Sequence, residues 1–347
     1  MLYVTTRDKT NFSTAYRTLG RDRGEEGGFF IPHQLPHMDN EQILMLRDKT
    51  FGQTVADILN LLFKARLDGW DVDFSIGRYP TKLVAMSHRI VFAEVWHNPD
   101  LDFTRVVRNL TGRIRGTEDT AGAPTNWAWI AVRIAMLFGV FGELLRVNMV
   151  DPEHPVDVAV PSGDFTVPMA VWYAREMGLP IANIICGCND NGGIWDLLHH
   201  GEIHTDAVAA RTLTPAGDHA VPPDLERLIY ATLGAEETKR FLYACESGRT
   251  YRPPETRFEE LRRGMYAGVV SGARMESIIR SFYNTSTYIM DPYSALAYCS
   301  LQDYRTRYAE HRTALVLSEK SPAHAASIVA KSLGITAEEL ADRLNLG

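Results

Sequence analysis

The sequence lacks several features that would assign a function directly. Its 347 residues include only four cysteines, too few for a disulfide framework in a chain of this length. No basic run or stripe occurs, and the formal net charge is −7, which argues against a nucleic-acid-binding protein. The most apolar segment, residues 127–147, is interrupted by Arg133 and Glu143, so no uninterrupted stretch reaches the roughly 18 residues of a membrane span. We expect this segment to form a buried helix.

Other common signals are also missing. Residues 1–10 are polar and charged and lack the apolar region of a secretory signal, so a cytoplasmic location is expected. No Gly-x-Ser-x-Gly motif is present, which leaves serine-based nucleophilic catalysis without support. The composition, 45% hydrophobic and 23% charged, is typical of a globular protein. The length suits two domains, or one domain with a large appendage.

One clear α/β pattern is present in the middle of the chain. Residues 156–160 are predicted as a short strand, 161–164 as a turn, and 167–177 as a helix that ends at Gly178. Residues 181–188 are predicted as the next strand. A strand–helix–strand unit of this kind predicts an α/β fold, with a parallel sheet and flanking helices.

The periodicity of apolar residues predicts further elements on both sides of this unit. Strands are predicted at 83–86, 90–96 and 314–317. Helices are predicted at 51–67, 125–147, 223–233, 235–247, 258–267, 274–283, 294–309, 322–333 and 337–344. Thr125 or Asn126 is the expected N-cap of the long helix, and Thr336 with Glu339 forms a capping box.

Seven short blocks occur in an order that resembles threonine synthase. They are residues 3–7 (Tyr-Val-Thr-Thr-Arg), 27–32 (Gly-Gly-Phe-Phe-Ile-Pro), 94–99 (Glu-Val-Trp-His-Asn-Pro), 126–130 (Asn-Trp-Ala-Trp-Ile), 160–165 (Val-Pro-Ser-Gly-Asp-Phe), 177–181 (Met-Gly-Leu-Pro-Ile) and 291–295 (Asp-Pro-Tyr-Ser-Ala). Each block alone is weak, but their order across nearly the whole chain is specific. The resemblance implies a truncated form of the fold-type II architecture of pyridoxal-phosphate (PLP) enzymes, similar to the tryptophan synthase β chain.

The chain departs from that family where the family holds its cofactor. Thr104 stands where the resemblance implies a Schiff-base lysine, and a hydroxyl cannot form an imine. Only 21 residues separate Thr104 from Asn126, where the family carries a whole α/β stretch. We therefore predict an N-terminal region (1–105) with residual strands and a bridge (106–125) that replaces a deleted segment, crossing the surface at 111–117. A main α/β domain (126–347) with a helical C-terminal part follows.

Two more departures affect the predicted cofactor contacts. In the family's phosphate loop, Asp164 places a carboxylate near a dianion, and Thr166 replaces a glycine needed for close approach. In the block 318–324, where the family contacts the pyridine edge through a hydroxyl, the sequence is Ser-Glu-Lys-Ser-Pro-Ala-His. With the lost lysine and the deleted segment, four contacts change together. No cofactor is therefore expected.

The candidate site residues surround the inherited loop. Those expected to bind a ligand are Asn126, Ser162, Gly163, Asp164, Phe165, Thr166, Asn189, Asp190 and Ser318. Asp164, His97 and Glu319 are the candidate catalytic residues. Each has a simpler interpretation: Asp164 caps a helix, His97 is a buried hydrogen-bonded histidine, and Glu319 forms an exposed charge pair with Lys320.

Two alternative chemistries involve the remaining residues. Cysteines and histidines at 186, 188, 199, 200 and 204 resemble a zinc-binding set, but their spacing matches no standard zinc module, so no metal is expected. Lys82 can replace the missing lysine only if the Schiff-base geometry is rebuilt from another strand.

Three functions remain open from the sequence. The first is a PLP-independent enzyme that acts on an amino acid or a phosphorylated small molecule, and it is preferred because polar residues appear where the family's pocket lies. The second is a non-catalytic binding or scaffold subunit, and the third is a divergent PLP-dependent lyase. The expected partner is a small-molecule ligand, with no nucleic acid and no membrane. A homodimer or protein partner is expected at the surface exposed by the deleted segment.

Overall fold

The computed structural model describes residues 1–76, 81–86, 89–95, 103–117 and 122–344. Its strands are β1 (Leu2–Thr5), β2 (Ser13–Thr14), β3 (Phe30–Pro32), β4 (Lys82–Met86), β5 (Ile90–Glu94), β6 (Val156–Pro161), β7 (Ile181–Cys188), β8 (Met265–Val269) and β9 (Ala314–Ser318). Its helices are α1 (Ala15–Leu19), α2 (Asn40–Leu44), α3 (Phe51–Phe63), α4 (Gly69–Ile76), α5 (Phe103–Arg115), α6 (Trp127–Arg146), α7 (Thr166–Glu176), α8 (Gly193–His200), α9 (Leu225–Leu233), α10 (Ala235–Ser247), α11 (Phe258–Arg262), α12 (Gly272–Ser286), α13 (Pro292–Tyr308), α14 (Ala326–Leu333) and α15 (Ala337–Arg343).

The main sheet has six strands in the order β4-β5-β9-β6-β7-β8. All neighbouring pairs are parallel except β4 and β5, which are antiparallel. The strands β6 and β9 are largely buried along their length, as their apolar sequences predict for a parallel sheet covered on both faces. The carboxyl ends of β5, β9, β6, β7 and β8 therefore meet at one edge. The predicted α/β class is confirmed.

Helix α6 forms the centre of the core on one face of this sheet. Its N-cap is Asn126, whose side chain accepts a hydrogen bond from the backbone of Ala128, and this confirms one of the two predicted caps. The helix is long and apolar enough to cross a membrane, but 89% of its most apolar window is buried inside the protein. It packs closely on α3, since a Cβ atom at Gly139 would lie 2.7 Å from the ring of Phe51. The prediction of a buried helix is confirmed.

A small N-terminal sheet, β2-β1-β3, is fastened to the main domain through α9. The hydroxyl of Thr6 and the guanidinium of Arg7 both bond to the buried carboxylate of Glu226. Arg227 is fully buried and donates to the carbonyl of Phe30 at 3.2 Å. These contacts join residues about 200 positions apart and hold the N-terminal region against the sheet edge where the candidate site lies.

Several predicted elements differ from the structure. Residues 258–267, predicted as one helix, form α11 and then the strand β8, because Gly264 adopts a left-handed φ of +63° and the strand pairs with β7. The segment 322–333 begins as a 3₁₀ turn before α14. The helix predicted at 51–67 ends at Phe63.

The predicted surface bridge also differs. Residues up to Arg115 are helical in α5, and Thr111 is buried with its hydroxyl bonded to the carbonyl of Val107 at 2.7 Å. The reason is an apolar stripe, Val106, Val107 and Leu110, which is buried, whereas Arg105, Arg108 and Arg113 are exposed.

Candidate functional site

The candidate site lies at the carboxyl edge of the main sheet. Residues 162–166 follow β6, Asn189 and Asp190 follow β7, and Glu319 follows Ser318 at the end of β9. Since β6, β7 and β9 are parallel, the topology brings these predicted residues to the same edge. This edge is where open α/β sheets usually bind ligands.

The loop after β6 is closed by hydrogen bonds within itself. The backbone N–H of Thr166 donates to Oδ1 of Asp164 at 3.0 Å, and the Thr166 hydroxyl donates to the same oxygen. Ser162 is anchored by its backbone N–H to the carbonyl of Gly187 at 2.8 Å. Gly163 has a left-handed φ of +49°, and the buried Phe165 one of +72°, which for a non-glycine residue costs about 1 kcal/mol.

This loop does not fit the phosphate group of PLP. The Asp164 carboxylate accepts the first-turn hydrogen bonds that a phosphate would need from the start of α7. A second acidic residue, Asp224, lies beside Asp164. Its backbone N–H donates to the carbonyl of Asp164 at 3.1 Å. The pKa of Asp224 is raised to about 7, chiefly by burial; the charge of Arg227 opposes the shift, and that of Asp164 adds to it. A phosphate dianion would meet repulsion at this position.

Glu319 forms an ion pair with Arg133 of α6. Nε of Arg133 lies 2.9 Å from Oε1 of Glu319, and Nη2 lies 3.0 Å from Oε2, a bidentate arrangement. The two side chains are 12% and 18% exposed. The guanidinium carbon also lies 4.3 Å from the ring centroid of Phe103. The suggested pair of Glu319 with Lys320 is replaced, since Lys320 lies instead over the ring of Tyr293 at 4.0 Å.

Arg133 was not predicted as a site residue. In the sequence it only interrupts an apolar segment, although a lone arginine in such a helix needs a buried partner. The need for a buried partner was the feature of the sequence that could have identified Arg133. The partner itself is not visible in the sequence, because Glu319 is 186 residues away.

Next to this ion pair is an open cleft, where about 370 Å³ of empty space includes solvent at its mouth. Its walls are apolar side chains of α6, α7 and the ends of β5 and β9, among them Met136, Val140, Val171 and Leu317. Arg133 and Glu319 are the charged residues that line it within the described part of the chain. The cleft therefore combines an apolar interior with a single ion pair.

Asn126 and Asn189 use their side-chain amides within the protein. Nδ2 of Asn126 donates to the carbonyl of Arg21 and to Asp22, both at 3.0 Å, in addition to the cap that its oxygen forms. Nδ2 of Asn189 donates to Thr212 at 2.8 Å and to Asp218 at 2.9 Å. Both amides thus connect loops.

Asp190, in contrast, is exposed at the surface, next to Asn189. The structure places it at the predicted edge of the sheet. It does not place its carboxylate among the residues that line the cleft.

Ser318 belongs to a buried acidic cluster that the sequence analysis did not single out. Its hydroxyl donates to Oδ2 of Asp291 at 3.2 Å, and Asp291 caps α13 by accepting from the backbone of Tyr293. Glu94 pairs with Ser318 across β5 and β9 and is also buried. Burial and then the charge of Glu94 raise the pKa of Tyr288. Glu94 and Asp291 lie in two of the blocks that resemble threonine synthase, 94–99 and 291–295, and this could have identified them from the sequence.

Lys82 is brought to the same edge because β4 runs antiparallel to β5. Its Nζ lies 3.9 Å from Oε2 of Glu94, and its side chain is 63% exposed. Thr104 is half-buried near the start of α5. His97 lies outside the residues that the structure describes.

The cysteine and histidine residues considered as a zinc site make other contacts in the structure. Cys186 and Cys188 are buried in the core, and burial raises the pKa of the Cys188 thiol to about 11. His199 stacks on Trp195 with centroids 5.0 Å apart. In the described ranges, no group of three His, Cys, Asp or Glu side chains is placed to hold a metal ion.

Comparison with known sequences identifies relatives for a part of the chain. No family model matches the sequence. Threonine synthase-like 1 of Homo sapiens is 27% identical over 201 residues, which cover 57% of this chain and 26% of that protein. Threonine synthase of Pseudomonas aeruginosa is 26% identical over 199 residues, covering 56% of this chain and 40% of that protein. The matches thus span about a quarter to two fifths of these curated relatives.

Solved structures of threonine synthases share the fold over nearly the whole chain. The PLP-bound threonine synthase of Brucella melitensis superposes with a TM-score of 0.85 at 19% identity, covering 96% of this chain and 92% of that one. Yeast threonine synthase gives a TM-score of 0.82 at 18% identity, with 96% and 90% covered. The mostly parallel sheet with flanking helices is therefore the fold of these PLP fold-type II structures, and more than half of the chain is similar in sequence to threonine synthases and threonine synthase-like proteins.

Proposed function

We propose that the chain is a PLP-independent enzyme that acts on an amino acid or a phosphorylated small molecule in the cleft beside Arg133 and Glu319. The observation that carries the proposal is the closed loop after β6. Asp164 accepts the hydrogen bonds that a cofactor phosphate would take, and Thr104 offers no amine at the position where the family has its lysine.

The proposed roles follow from the contacts. Arg133 holds Glu319 in one orientation through a bidentate ion pair, so the carboxylate is positioned to accept a proton from a ligand in the cleft. Asp164 is the second proposed acid–base group and His97 the third. A ligand would be surrounded by the apolar walls, which exclude water and strengthen its contacts with the ion pair.

The first test is an absorbance spectrum of the purified protein with and without added PLP, followed by borohydride reduction and peptide mapping. We expect no visible absorbance from bound cofactor and no reduced adduct. Activity screening on amino acids and phosphorylated small molecules then compares the wild type with Asp164→Asn and Glu319→Gln. If both substitutions leave every detected activity unchanged, the proposed roles are wrong.

The same spectrum tests the divergent lyase. The position of Lys82 favours this alternative, since its amine lies at the carboxyl edge near Glu94. A reduced adduct that maps to Lys82 would replace the first proposal with a migrated Schiff-base lysine. Lys82→Met is the control, and it must abolish the adduct.

A second candidate function is a non-catalytic subunit that assembles with a second copy of the chain. Trp70 and Phe74 lie one turn apart on α4 and are 80% and 82% exposed, which is unusual for aromatic side chains. The Arg113 guanidinium lies 5.4 Å from the Phe74 ring centroid. Residues 103–115 carry four arginines and no acid, whereas the whole chain has a net charge of −7, so the rest of a second copy has an excess of acidic residues that can attract this basic helix.

Sedimentation analysis tests this candidate. A dimer that dissociates when Trp70 and Phe74 are both replaced by Ser supports it, with Tyr243→Ser as the matched exposed aromatic control on α10. A monomer at all concentrations rules out self-association through this face. The cytoplasmic location stays a prediction from the sequence.

A further inference from the structure

We propose that the ligand of the cleft is an apolar, unphosphorylated amino acid, with its carboxylate bound by Arg133 and its ammonium group by Glu319. This inference rests on the proposed function, since it names the ligand class of the same cleft. It selects one of the two classes that the proposed function leaves open.

The lining of the cleft favours a small aliphatic body. The cleft is open to solvent, and apart from the ion pair its walls are apolar. The side chains of Met136, Val140 and Val171 are almost fully buried and present no hydrogen-bonding group to a ligand. An aliphatic side chain can displace water from these walls, whereas a polar one would lose its own hydrogen bonds there.

The guanidinium of Arg133 has a donor to spare. Nε and Nη2 bond to Glu319, but Nη1 is buried and has no hydrogen-bond partner among the described residues. Buried polar groups in native proteins are nearly always paired, so this group requires an explanation. A ligand carboxylate is the acceptor that an arginine binds best.

Glu319 has unused acceptor capacity. A carboxylate offers about four lone pairs, and Arg133 uses up to three contacts with the two oxygens. Its side chain is 18% exposed, so a ligand ammonium group can reach it. A carboxylate beside an ammonium group, as in an α-amino acid, matches this neighbouring donor and acceptor.

The charge balance separates an amino acid from a phosphorylated molecule. Arg133 and Glu319 sum to zero, and so does a zwitterion, so their union leaves no unpaired charge in the cleft. A phosphate would add about two negative charges to a cleft that has one cation, already paired. It would also find the first-turn donor of α7 occupied by Asp164.

The test uses the full-length protein and four probes in isothermal titration calorimetry. L-Norvaline has both head groups, pentanoate lacks the ammonium group, n-butylamine lacks the carboxylate, and O-phospho-L-serine adds a phosphate. We expect norvaline to bind most tightly. Each one-headed probe should bind about 10- to 100-fold more weakly, because one charge-assisted hydrogen bond is lost.

Two variants separate direct contact from a structural role. Glu319→Gln should weaken n-butylamine and spare pentanoate, whereas Arg133→Met should weaken pentanoate and spare n-butylamine. A residue that only supports the fold would weaken both probes together. Arg108→Met is the matched control, because Arg108 is an exposed arginine on the neighbouring helix α5 and does not line the cleft.

The outcomes distinguish this inference from the proposed function. If O-phospho-L-serine binds as tightly as norvaline and Glu319→Gln abolishes its binding, the cleft is functional but the ligand class is wrong. Binding of none of the four probes, or equal losses for both one-headed probes in both variants, also overturns the inference. A PLP adduct would instead overturn the proposed function itself. The wild-type probe series needs no variant, so a folding defect cannot obscure the result.

Discussion

Two arginine–carboxylate pairs lie near the carboxyl edge of the sheet, and they differ in their surroundings. Arg227 and Asp224 are fully buried, and the guanidinium also donates to the carbonyls of Phe30 and Thr125. Arg133 and Glu319 line a cleft, and Nη1 of Arg133 has no partner within the described residues. Both are bonds between the same types of group. Backbone acceptors complete the coordination of Arg227, whereas nothing comparable completes that of Arg133.

This difference separates residues that stabilise the fold from residues available to a ligand. The Arg227 pair lies beneath the loop after β6, and Asp224 is hydrogen-bonded to that loop. The loop is therefore held in its closed form by the interior of the protein. The Arg133 pair is connected to its surroundings through the Phe103 ring and the apolar walls of the cleft.

The largest expected effect concerns the buried pair. Arg227→Met leaves Asp224 without its partner in the interior, so we expect the free energy of unfolding to fall by about 3–5 kcal/mol. Urea denaturation measures this change. The control is Arg240→Met, because Arg240 is 62% exposed in its pair with Glu237 and should cost less than about 1 kcal/mol. If both variants lose less than about 1 kcal/mol of unfolding free energy, the buried and the exposed ion pair do not differ in their contribution to stability.

The second prediction concerns pH. Burial raises the pKa of Asp224 to about 7, above the ordinary value of about 3.8. The folded state then binds a proton that the unfolded state has lost, so this group's contribution to stability is full below pH 4 and disappears as pH rises through 7. The slope within this window approaches 1.4 kcal/mol per pH unit. Urea denaturation of the wild type and of Asp224→Asn across pH 4–8 isolates the contribution of Asp224 to the pH dependence of the free energy of unfolding. If the free energies of the two proteins change in parallel with pH, the raised pKa is wrong.

The smallest expected effect concerns the loop. Asp164→Asn removes the negative charge but keeps an oxygen that can accept from Thr166, so the loop should stay closed with weaker repulsion. We expect inorganic phosphate to bind about tenfold more tightly than to wild type, as a nearby charge in a partly buried site is worth at least 1.4 kcal/mol. Calorimetry measures the affinity, with Asp190→Asn as the exposed control. Unchanged phosphate affinity would mean that Asp164 does not close the loop to anions.

Local patterns in the sequence predicted much of the fold. The unit from β6 to β7 was predicted because each element is defined by its own run of apolar residues, and the caps at Asn126 and Thr336 are formed by the residues expected. The strand β8 was predicted as part of a helix. Its five residues carry little periodic signal, and what makes them a strand is pairing with β7, about 80 positions earlier in the chain.

The candidate site was predicted less completely. The sequence located the loop after β6 and the end of β9, and the topology brings both to one edge. From the sequence, Glu319 was expected to pair with Lys320, and Arg133 was not predicted as a site residue. Asn126 and Asn189 were predicted as ligand contacts, and the structure shows that their amides connect loops. Whether they also touch a ligand stays a prediction.

By itself, the sequence determined the α/β class, the buried α6 and the order of blocks that relates the chain to the threonine synthases. These follow from hydrophobic periodicity and short motifs, which are local properties of the chain. Only the tertiary structure decided that Glu319 pairs with Arg133, that Lys82 lies beside Glu94, and that each guanidinium nitrogen of Arg227 has an acceptor. Such contacts depend on which strand and helix ends meet in space, and the cost of burying a charge selects the partner once they do.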